Sequence, residues 1–207
     1  MNIKFEKAKL KEGFGFIIGV DEVGRGSLAG PVVSAAVAVP CNMKHEAYSK
    51  RVKDSKLLTS AKREELAPVI KQNFITAIGQ ASEKEIDKLN IHHATLLAMQ
   101  RAVKKLLKLV SSKTSPNFIA VDGKFTFPLL NAPQAAIIDG DNKIFSIAAA
   151  SIVAKVYRDN LMSGLHKQYP CYGFNQHKGY GTLHHRQMIK KYGLCPIHRK
   201  TFSNNAN

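Results

Sequence analysis

The chain has 207 residues, enough for one compact domain with a buried core, and its hydrophobic content of 44% is ordinary for a globular protein. It lacks a run of about 18 apolar residues and the apolar centre of a secretory signal. We therefore expect no membrane span and no membrane partner. The three cysteines are scattered and odd in number, which favours a cytoplasmic location over a disulfide framework.

The charge balance gives the first indication of a partner. There are 31 Lys and Arg residues against 15 Asp and Glu residues, a formal net charge of +16. Such a positive surface favours a polyanion, and nucleic acid is the simplest candidate because neutralising its phosphates releases bound counterions. Ribosomal and membrane-surface proteins are basic too, so the charge alone leaves the function open.

Apolar strands alternate with helices along the chain. We predict strands over residues 14–21, 32–39, 74–80, 117–122 and 135–139. We predict helices over residues 60–71, 91–109, 146–168 and 182–192, with a short one opened by capping-box spacing at Ser82 and Glu85 and a loop over 169–181. This alternation is typical of an α/β domain around a mixed sheet.

Acidic residues stand at the carboxyl ends of three predicted strands. They are Asp21 with Glu22, Asp122, and Asp139 with Asp141 two residues later. The functional site of an open α/β sheet lies beyond such strand ends, so these acids converge if the strands are neighbours. Clustered carboxylates repel each other, and a divalent cation relieves that repulsion. An oxygen-rich, sulfur-free set favours Mg²⁺ or Mn²⁺, two of which can activate water against a phosphodiester.

The simpler interpretation of each Asp-Gly pair is a turn after a strand. A turn does not require two adjacent acids, as at Asp21 and Glu22. Acids in so basic a chain favour a metal site that acts on a bound polyanion.

The glycines that follow have the wrong spacing for a dinucleotide loop, and no P-loop lysine is present. They form either a flexible turn or a close backbone approach that bonds a sugar hydroxyl, as in RNA recognition.

With these residues in hand, the chain resembles bacterial ribonuclease HII, a type 2 ribonuclease H, over about residues 17–202. The resemblance rests on ordered motifs: GVDEVGRGSLAGPVV, then Asp54-Ser55-Lys56, EIDKLNIHHATLLAMQRAV, VDG at Asp122, SIAAASIVAKVYRD, YGFNQHKGYGT and the closing HRKTF. It implies a ribonuclease H-like mixed β-sheet flanked by helices, in a single domain over residues 1–207. The catalytic core would span about 14–160, and a helical C-terminal portion over about 161–202 would complete the substrate cleft.

The resemblance also implies an activity and a metal site. Family members hydrolyse the RNA strand of RNA–DNA hybrids and nick duplex DNA 5′ to embedded ribonucleotides, leaving 5′-phosphate and 3′-hydroxyl ends. Ribonucleotide excision, these nucleic-acid partners and a monomeric state follow as expectations. The family's metal-binding acids carry over to Asp21, Glu22, Asp122 and Asp141, which would hold two Mg²⁺ or Mn²⁺ ions. The neighbouring Asp139 leaves open which acid fills the fourth position.

Substrate contacts are implied in the same way. They are Gly24, Arg25, Gly26, Lys56, Ser151, Lys155 and Tyr180. The segment Gly24–Gly26 matches the element that contacts the ribose 2′-hydroxyl, and Tyr180 matches a tyrosine that packs on the following deoxyribose. Ser151 and Lys155 would meet phosphates, while Arg158 and Asp159 on the same helix are interpreted as a solvated face.

Three alternatives are weaker. A zinc site among the cysteines and histidines near the C-terminus lacks paired ligand spacing; its candidates are Cys171, His177, His184, His185, Cys195 and His198. A resolvase of the same fold would cut branched DNA that contains no ribose. A non-catalytic nucleic-acid-binding protein would bind without metal-dependent turnover.

Overall fold

The computed structural model describes residues 4–40, 52, 58–110, 117–128 and 132–203. Its sheet has five strands: β1 (Phe16–Val23), β2 (Val32–Pro40), β3 (Ile75–Ala81), β4 (Asn117–Asp122) and β5 (Gln134–Ile137). They lie in the order β3-β2-β1-β4-β5. The β1–β2 and β2–β3 pairs are antiparallel, whereas β4 runs parallel to both β1 and β5. The mixed sheet predicted from the sequence is confirmed.

Helices cover the sheet and form the C-terminal part of the chain. They are α1 (Lys4–Lys11), α2 (Ser60–Asn73), α3 (Glu83–Leu107), α4 (Gly140–Lys143), α5 (Phe145–Gln168), α6 (Phe174–His177), α7 (Leu183–Tyr192) and α8 (Lys200–Ser203), with a 3₁₀ turn at Pro170–Tyr172. The segment 169–181, predicted as a loop, therefore contains two short helical turns. Within the described ranges, none of these helices is long and apolar enough to cross a membrane.

The helix starts follow their capping residues. Thr59 accepts a hydrogen bond from the Lys62 N–H at the start of α2, and Ser82 and Glu85 form a complete capping box at the start of α3. The short helix predicted after Ser82 continues into the next one through a kink at Asn90, whose backbone has φ 63° and ψ 166°. The Asn90 side chain accepts from the N–H of His92 and caps the second part of α3.

Close contacts between glycines and helix backbones fix the layers. Helix α5 packs on one face of the sheet and α3 on the other. A Cβ on Gly19 of β1 would lie 2.1 Å from the Ser146 carbonyl carbon, and a Cβ on Gly79 of β3 would lie 2.1 Å from the Ala98 oxygen. Only glycine permits these approaches, because any side chain would push the helix off its strand. The start of α5 is thereby held directly over β1.

Candidate active site

Two carboxylates lie side by side at the carboxyl ends of neighbouring parallel strands. Val20 of β1 pairs with Val121 of β4, so the next residues in register are Asp21 and Asp122. Side chains alternate along a strand, which places Asp21 on the same sheet face as Gly19, the face covered by α5. The convergence of β1 and β4 acids expected from the sequence therefore arises from parallel pairing of these two strands.

The carboxylates are buried close together, and this burial raises the pKa values of Asp21 and Glu22. Asp21 is only 6% exposed. Burial, followed by the charges of Glu22 and Asp122, raises the pKa of Asp21 well above its usual range, while a hydrogen bond from Ser151 of α5 opposes the rise. Burial also raises the pKa of Glu22, against the lowering effect of the Arg25 charge. These groups are held at a separation where they repel each other when ionised.

Short hydrogen bonds fix the strand end that carries Asp21. The Ser34 hydroxyl of β2 donates to the Asp21 backbone oxygen at 2.7 Å, and the Glu22 N–H donates to Asp21 Oδ1 at 2.7 Å. The guanidinium of Arg25 donates to Glu22 Oε1 at 3.2 Å. The cation thus partly balances the acid cluster from its exposed side.

The fourth acidic position lies on α4, directly after β5. Asp139 is exposed and has a left-handed backbone with φ 54°, whereas Asp141 is 1% exposed. Between them, the Gly140 N–H donates to Asp122 Oδ1 at 2.7 Å. A Cβ on Gly140 would lie 3.2 Å from that same oxygen. Gly140, the residue before Asp141, therefore lies directly against Asp122. Of the two acids on either side of Gly140, Asp141 is buried and Asp139 faces solvent.

The donor chemistry of this cluster fits a hard divalent cation. Its candidate metal ligands are all carboxylates, and their mutual repulsion, seen in the raised pKa of Asp21, is what such a cation relieves. In the part of the chain that the structure describes, no three Asp, Glu, His or Cys side chains are arranged to hold a metal ion as they stand.

Replacing Asp21 with Asn is expected to stabilise the metal-free fold at pH 7. The pKa of Asp21 is raised, so its stabilising contribution is greatest below its unfolded value of about 4 and is lost as pH rises through the folded pKa. Each 1 kcal/mol relieved raises the melting temperature by about 2–4 °C in a chain of this size. Thermal melting in EDTA measures the difference, which should shrink towards pH 4. The exposed Asp139→Asn is the control, and a less stable Asp21→Asn at pH 7 would contradict the expected repulsion.

The loop after β1 has its backbone held in an unusual conformation. Gly24 has φ 90°, and a Cβ there would lie 2.2 Å from Nε of Arg158, so only glycine fits. Arg25 and Gly26 are exposed, and nothing lies within 4 Å of a Cβ built on Gly26. Arg25 and Gly26 are thus open to a ligand directly beside Glu22.

Two buried arginines anchor this loop to the C-terminal part of the chain. Arg199 donates to the backbone oxygens of Gly24, Arg25 and Gly30 at 2.6, 2.8 and 2.9 Å. Burial, followed by the charge of Arg158, lowers the pKa of Arg199 to about 9. Three carbonyl acceptors hold the cation in its charged form at neutral pH.

Arg158 of α5 provides the second anchor. Its nitrogens donate to the backbone oxygens of Ala29, Pro31 and Lys178 at 3.2, 3.1 and 2.9 Å. The interpretation of Arg158 as part of a solvated face is therefore wrong, because its side chain is fully buried. The hydrogen-bond partners of its guanidinium are carbonyls of loops distant in the chain, which local spacing does not indicate.

Of the remaining predicted substrate contacts, Tyr180 and Lys155 lie near this loop, whereas Ser151 lies near the acids. Tyr180 is 37% exposed and pairs with Ser27 across an isolated bridge. Lys155 of α5 lies 6.0 Å from the Tyr180 ring centroid and forms an ion pair of 2.7 Å with Asp159. Ser151 contacts the Asp21 carboxylate and so belongs to the acid cluster. Lys56 lies outside the described residues.

Sequence reasoning missed the residues that hold the loop in place. Arg199 stands in the HRKTF motif between His198 and Lys200, two other basic residues, so its local sequence does not indicate that it is buried. His185 and His198 are fully or almost fully buried in the same region. Their role depends on contacts between separate segments, which no local spacing indicates.

Comparison with known proteins identifies the family. The family model for Ribonuclease HII matches residues 18–205. A Ribonuclease HII of Caldicellulosiruptor saccharolyticus is 47% identical over 203 residues, covering 98% of this chain and 94% of that protein.

Solved structures show the same architecture. The ribonuclease HII of Archaeoglobus fulgidus, solved in complex with PCNA, matches with a TM-score of 0.74 and 25% identity, covering 89% of this chain and 94% of that one. Bst-RNase HIII, solved in complex with Mn²⁺, matches with a TM-score of 0.74 and 20% identity over 100% of this chain and 73% of that one. Since family model and relative both extend over nearly the whole sequence, this chain belongs to the ribonuclease HII family of metal-dependent endonucleases, which cleave the RNA strand of RNA–DNA hybrids to 5′-phosphate products.

Proposed function

We propose that this protein, beyond cleaving RNA–DNA hybrids, nicks duplex DNA on the 5′ side of a single embedded ribonucleotide and leaves 5′-phosphate and 3′-hydroxyl ends. One observation carries the proposal: a buried carboxylate cluster and an exposed glycine-rich loop tip share one strand end, with Glu22 bonded to Arg25 between them. A phosphate at the acids thus lies next to groups that can contact its sugar.

The residues that would hold the metal are Asp21, Glu22, Asp122 and Asp141. When bound, two Mg²⁺ or Mn²⁺ ions at such carboxylates lower the pKa of the attacking water and stabilise charge on the phosphate and its leaving oxygen. Asp141 is preferred to Asp139 because it is buried beside the chain segment that contacts Asp122. The backbone of β1 and β4 keeps Asp21 and Asp122 adjacent before any ligand arrives.

Sugar selection is assigned to the loop tip and to Tyr180. The peptide groups of Gly24, Arg25 and Gly26 would bond the ribose 2′-hydroxyl, which only a ribonucleotide presents. Tyr180, bridged to Ser27 at the end of that loop, would pack on the deoxyribose that follows. Together they would place an RNA-to-DNA junction over the acids.

Phosphate binding is assigned to the positively charged surface around this junction site. Lys155 lies beside Tyr180 and can exchange its ion pair with Asp159 for a phosphate, and Lys56 and Ser151 complete the proposed contact set. The net charge of +16 supports such contacts along the duplex.

We assign the whole activity to one monomeric domain, with a catalytic core over about 14–160 and a C-terminal portion over about 161–202. We place it in the cytoplasm, where a bacterial cell keeps the DNA that ribonucleotide excision repairs.

Three duplexes that differ at one sugar test the proposed selection. They carry a ribonucleotide, a deoxyribonucleotide or a 2′-O-methyl nucleotide at the same position. We expect cleavage of the first alone, because the other two lack the free hydroxyl that the loop tip would bond. A branched duplex without ribose serves as a further control. Equal cleavage of the all-deoxy or branched DNA would favour a resolvase over this function.

A further inference from the structure

Two imidazoles and two backbone groups form a chain of hydrogen bonds beneath the proposed junction-binding surface. His185 Nδ1 lies 2.9 Å from the Tyr180 backbone oxygen, and His185 Nε2 lies 3.0 Å from His198 Nε2. The Cys195 N–H donates to His198 Nδ1 at 2.9 Å. We name these three contacts, from Cys195 through His198 and His185 to Tyr180, the histidine relay.

The two ends of the relay favour one placement of its protons, because His198 Nδ1 lies closer to the Cys195 N–H, at 2.9 Å, than to the Cys195 oxygen, at 3.3 Å. A backbone N–H can only donate, so His198 Nδ1 accepts and His198 carries its proton on Nε2. A backbone carbonyl can only accept, so His185 carries its proton on Nδ1 and its Nε2 accepts from His198. Both rings are therefore neutral, with one consistent assignment of tautomers. A second proton on His185 would set its Nε2–H against that of His198, and a second proton on His198 would set its Nδ1–H against the Cys195 N–H, with the Cys195 oxygen at 3.3 Å as the remaining acceptor.

The relay also closes a ring of contacts with the loop after β1. Tyr180 pairs with Ser27, and His198 pairs with Ala29, in two isolated backbone bridges. The Tyr180 oxygen accepts a second hydrogen bond, from the Thr182 N–H at 2.8 Å. Tyr180 and His198 are thus connected in two ways. His185 bonds to both of them, and each pairs with a residue of the loop after β1.

The surroundings favour neutral rings. The His177 ring stacks on His185 at 4.4 Å, and the Phe174 ring meets His185 edge-on at 5.4 Å. The Tyr172 ring and Cys195 Sγ lie against His198 at 4.9 and 3.1 Å, and the charged Arg199 follows it in the chain. Burial, opposed by the bond to Tyr180, lowers the pKa of His185 to about 4, and burial lowers the pKa of His198 also. Aromatic rings pack against the two imidazoles, and the charge of Glu83 acts on Cys195 at one end of the relay.

We propose that His185 and His198 are positioning residues for substrate recognition, holding Tyr180 and the loop at residues 27–29 as one rigid surface against which the junction sugar is selected. The inference rests on the proposed function, because it deepens the role given there to Tyr180. The relay acts on Tyr180 through its main chain, so the ring itself stays available to the substrate.

Two variants of His185 separate positioning from bulk packing. His185→Leu fills the space but removes the donor to Tyr180, whereas His185→Asn keeps an N–H near the position of Nδ1. The neighbouring exposed His184→Asn is the matched control. For each, kcat/KM is measured on a duplex with one ribonucleotide and on a continuous RNA–DNA hybrid, together with the melting temperature.

We expect His185→Leu to lose about tenfold in its preference for the single ribonucleotide relative to the hybrid, as one lost hydrogen bond predicts, mainly through KM. His185→Asn should recover much of that preference, and His184→Asn should match wild type. A folded His185→Leu with unchanged preference overturns the inference. A wild type that cuts the hybrid but never the single ribonucleotide refutes the proposed function instead.

Imidazole ¹⁵N spectra of the wild type test the relay without any substrate. We expect His185 as the neutral Nδ1–H tautomer and His198 as the neutral Nε2–H tautomer at pH 6. We also expect the Tyr180 and Ser27 amide signals to shift in His185→Leu and much less in His185→Asn. The opposite tautomers, a protonated ring at pH 6, or unshifted Tyr180 and Ser27 signals would contradict the relay, whatever the outcome of the cleavage assay.

Discussion

Replacing Asp122 with Asn is expected to reduce cleavage of an RNA–DNA hybrid by about 10³-fold or more while the chain remains folded. The substitution removes one negative charge from the proposed metal site, where charge stabilisation amounts to several kcal/mol, and each 1.4 kcal/mol is about tenfold in rate. Asn keeps an oxygen that can accept from the Gly140 N–H, so the contact that joins β4 to α4 survives. Single-turnover rates with Mg²⁺ and Mn²⁺ measure the effect, and thermal melting verifies the fold.

The neighbouring acids provide a control on α4. Asp141→Asn should lose activity on the scale of Asp122→Asn, because the buried Asp141 is assigned to the metal site. Asp139→Asn should retain it, because Asp139 is exposed. Loss of activity in Asp139→Asn with retention in Asp141→Asn would reverse that assignment and give the fourth position to the exposed acid.

Arg199→Lys is expected to lower the free energy of unfolding by about 3–5 kcal/mol. Arg199 donates through three nitrogens to three carbonyls, and a lysine ammonium cannot reach all of them. Each buried acceptor left without a donor costs about 1–3 kcal/mol, so two of them account for most of the expected loss. Urea denaturation at pH 7 measures the difference, and the midpoint should fall without a change in the steepness of the transition.

Arg186→Lys is the matched control for this prediction. Arg186 is exposed and donates once, from Nε to the Gly181 oxygen at 3.1 Å. Its replacement should change the free energy of unfolding by less than about 0.5 kcal/mol. If Arg199→Lys were equally mild, the loop from Gly24 to Pro31 would be held by contacts other than the Arg199 guanidinium.

The sheet and the helix starts were predictable because their determinants are local. Apolar runs, a proline after residue 39 and the Ser82–Glu85 capping box define elements that the structure confirms to within a few residues. The break at Asn90 agrees with the predicted boundary between a short helix after Ser82 and a long helix from residue 91, although the left-handed backbone that causes it was not predicted. The Asn90 side chain caps the second half of α3 and so replaces the backbone bonds that the kink removes.

The acid pair was predictable, but the structure that supports it was not. That Asp21 and Asp122 end two strands is visible in the sequence, and parallel pairing of β1 with β4 makes them neighbours. Arg158 was interpreted as part of a solvated face, and no role was predicted for Arg199, because arginine is almost never fully buried without partners. Their partners are backbone oxygens from distant loops, which a single sequence does not reveal.

These supports connect the fold to the proposed chemistry. Gly19 lets α5 lie on β1, which brings Ser151 to Asp21, and α5 continues to Arg158 under the loop that contains Gly24. One helix therefore contacts both the acid cluster and the loop proposed to bind the sugar. Because both parts of the proposed site rest on this helix, we expect cleavage at a fixed distance from the ribose.

The most direct test of this account is a nicking assay on end-labelled duplex DNA that contains one ribonucleotide, with Mg²⁺, Mn²⁺ or EDTA. We expect a metal-dependent nick on the 5′ side of the ribonucleotide, with a 5′-phosphate on the downstream fragment and no product in EDTA. Binding of the duplex without a nick in either metal would contradict it and leave a non-catalytic nucleic-acid-binding protein as the better description.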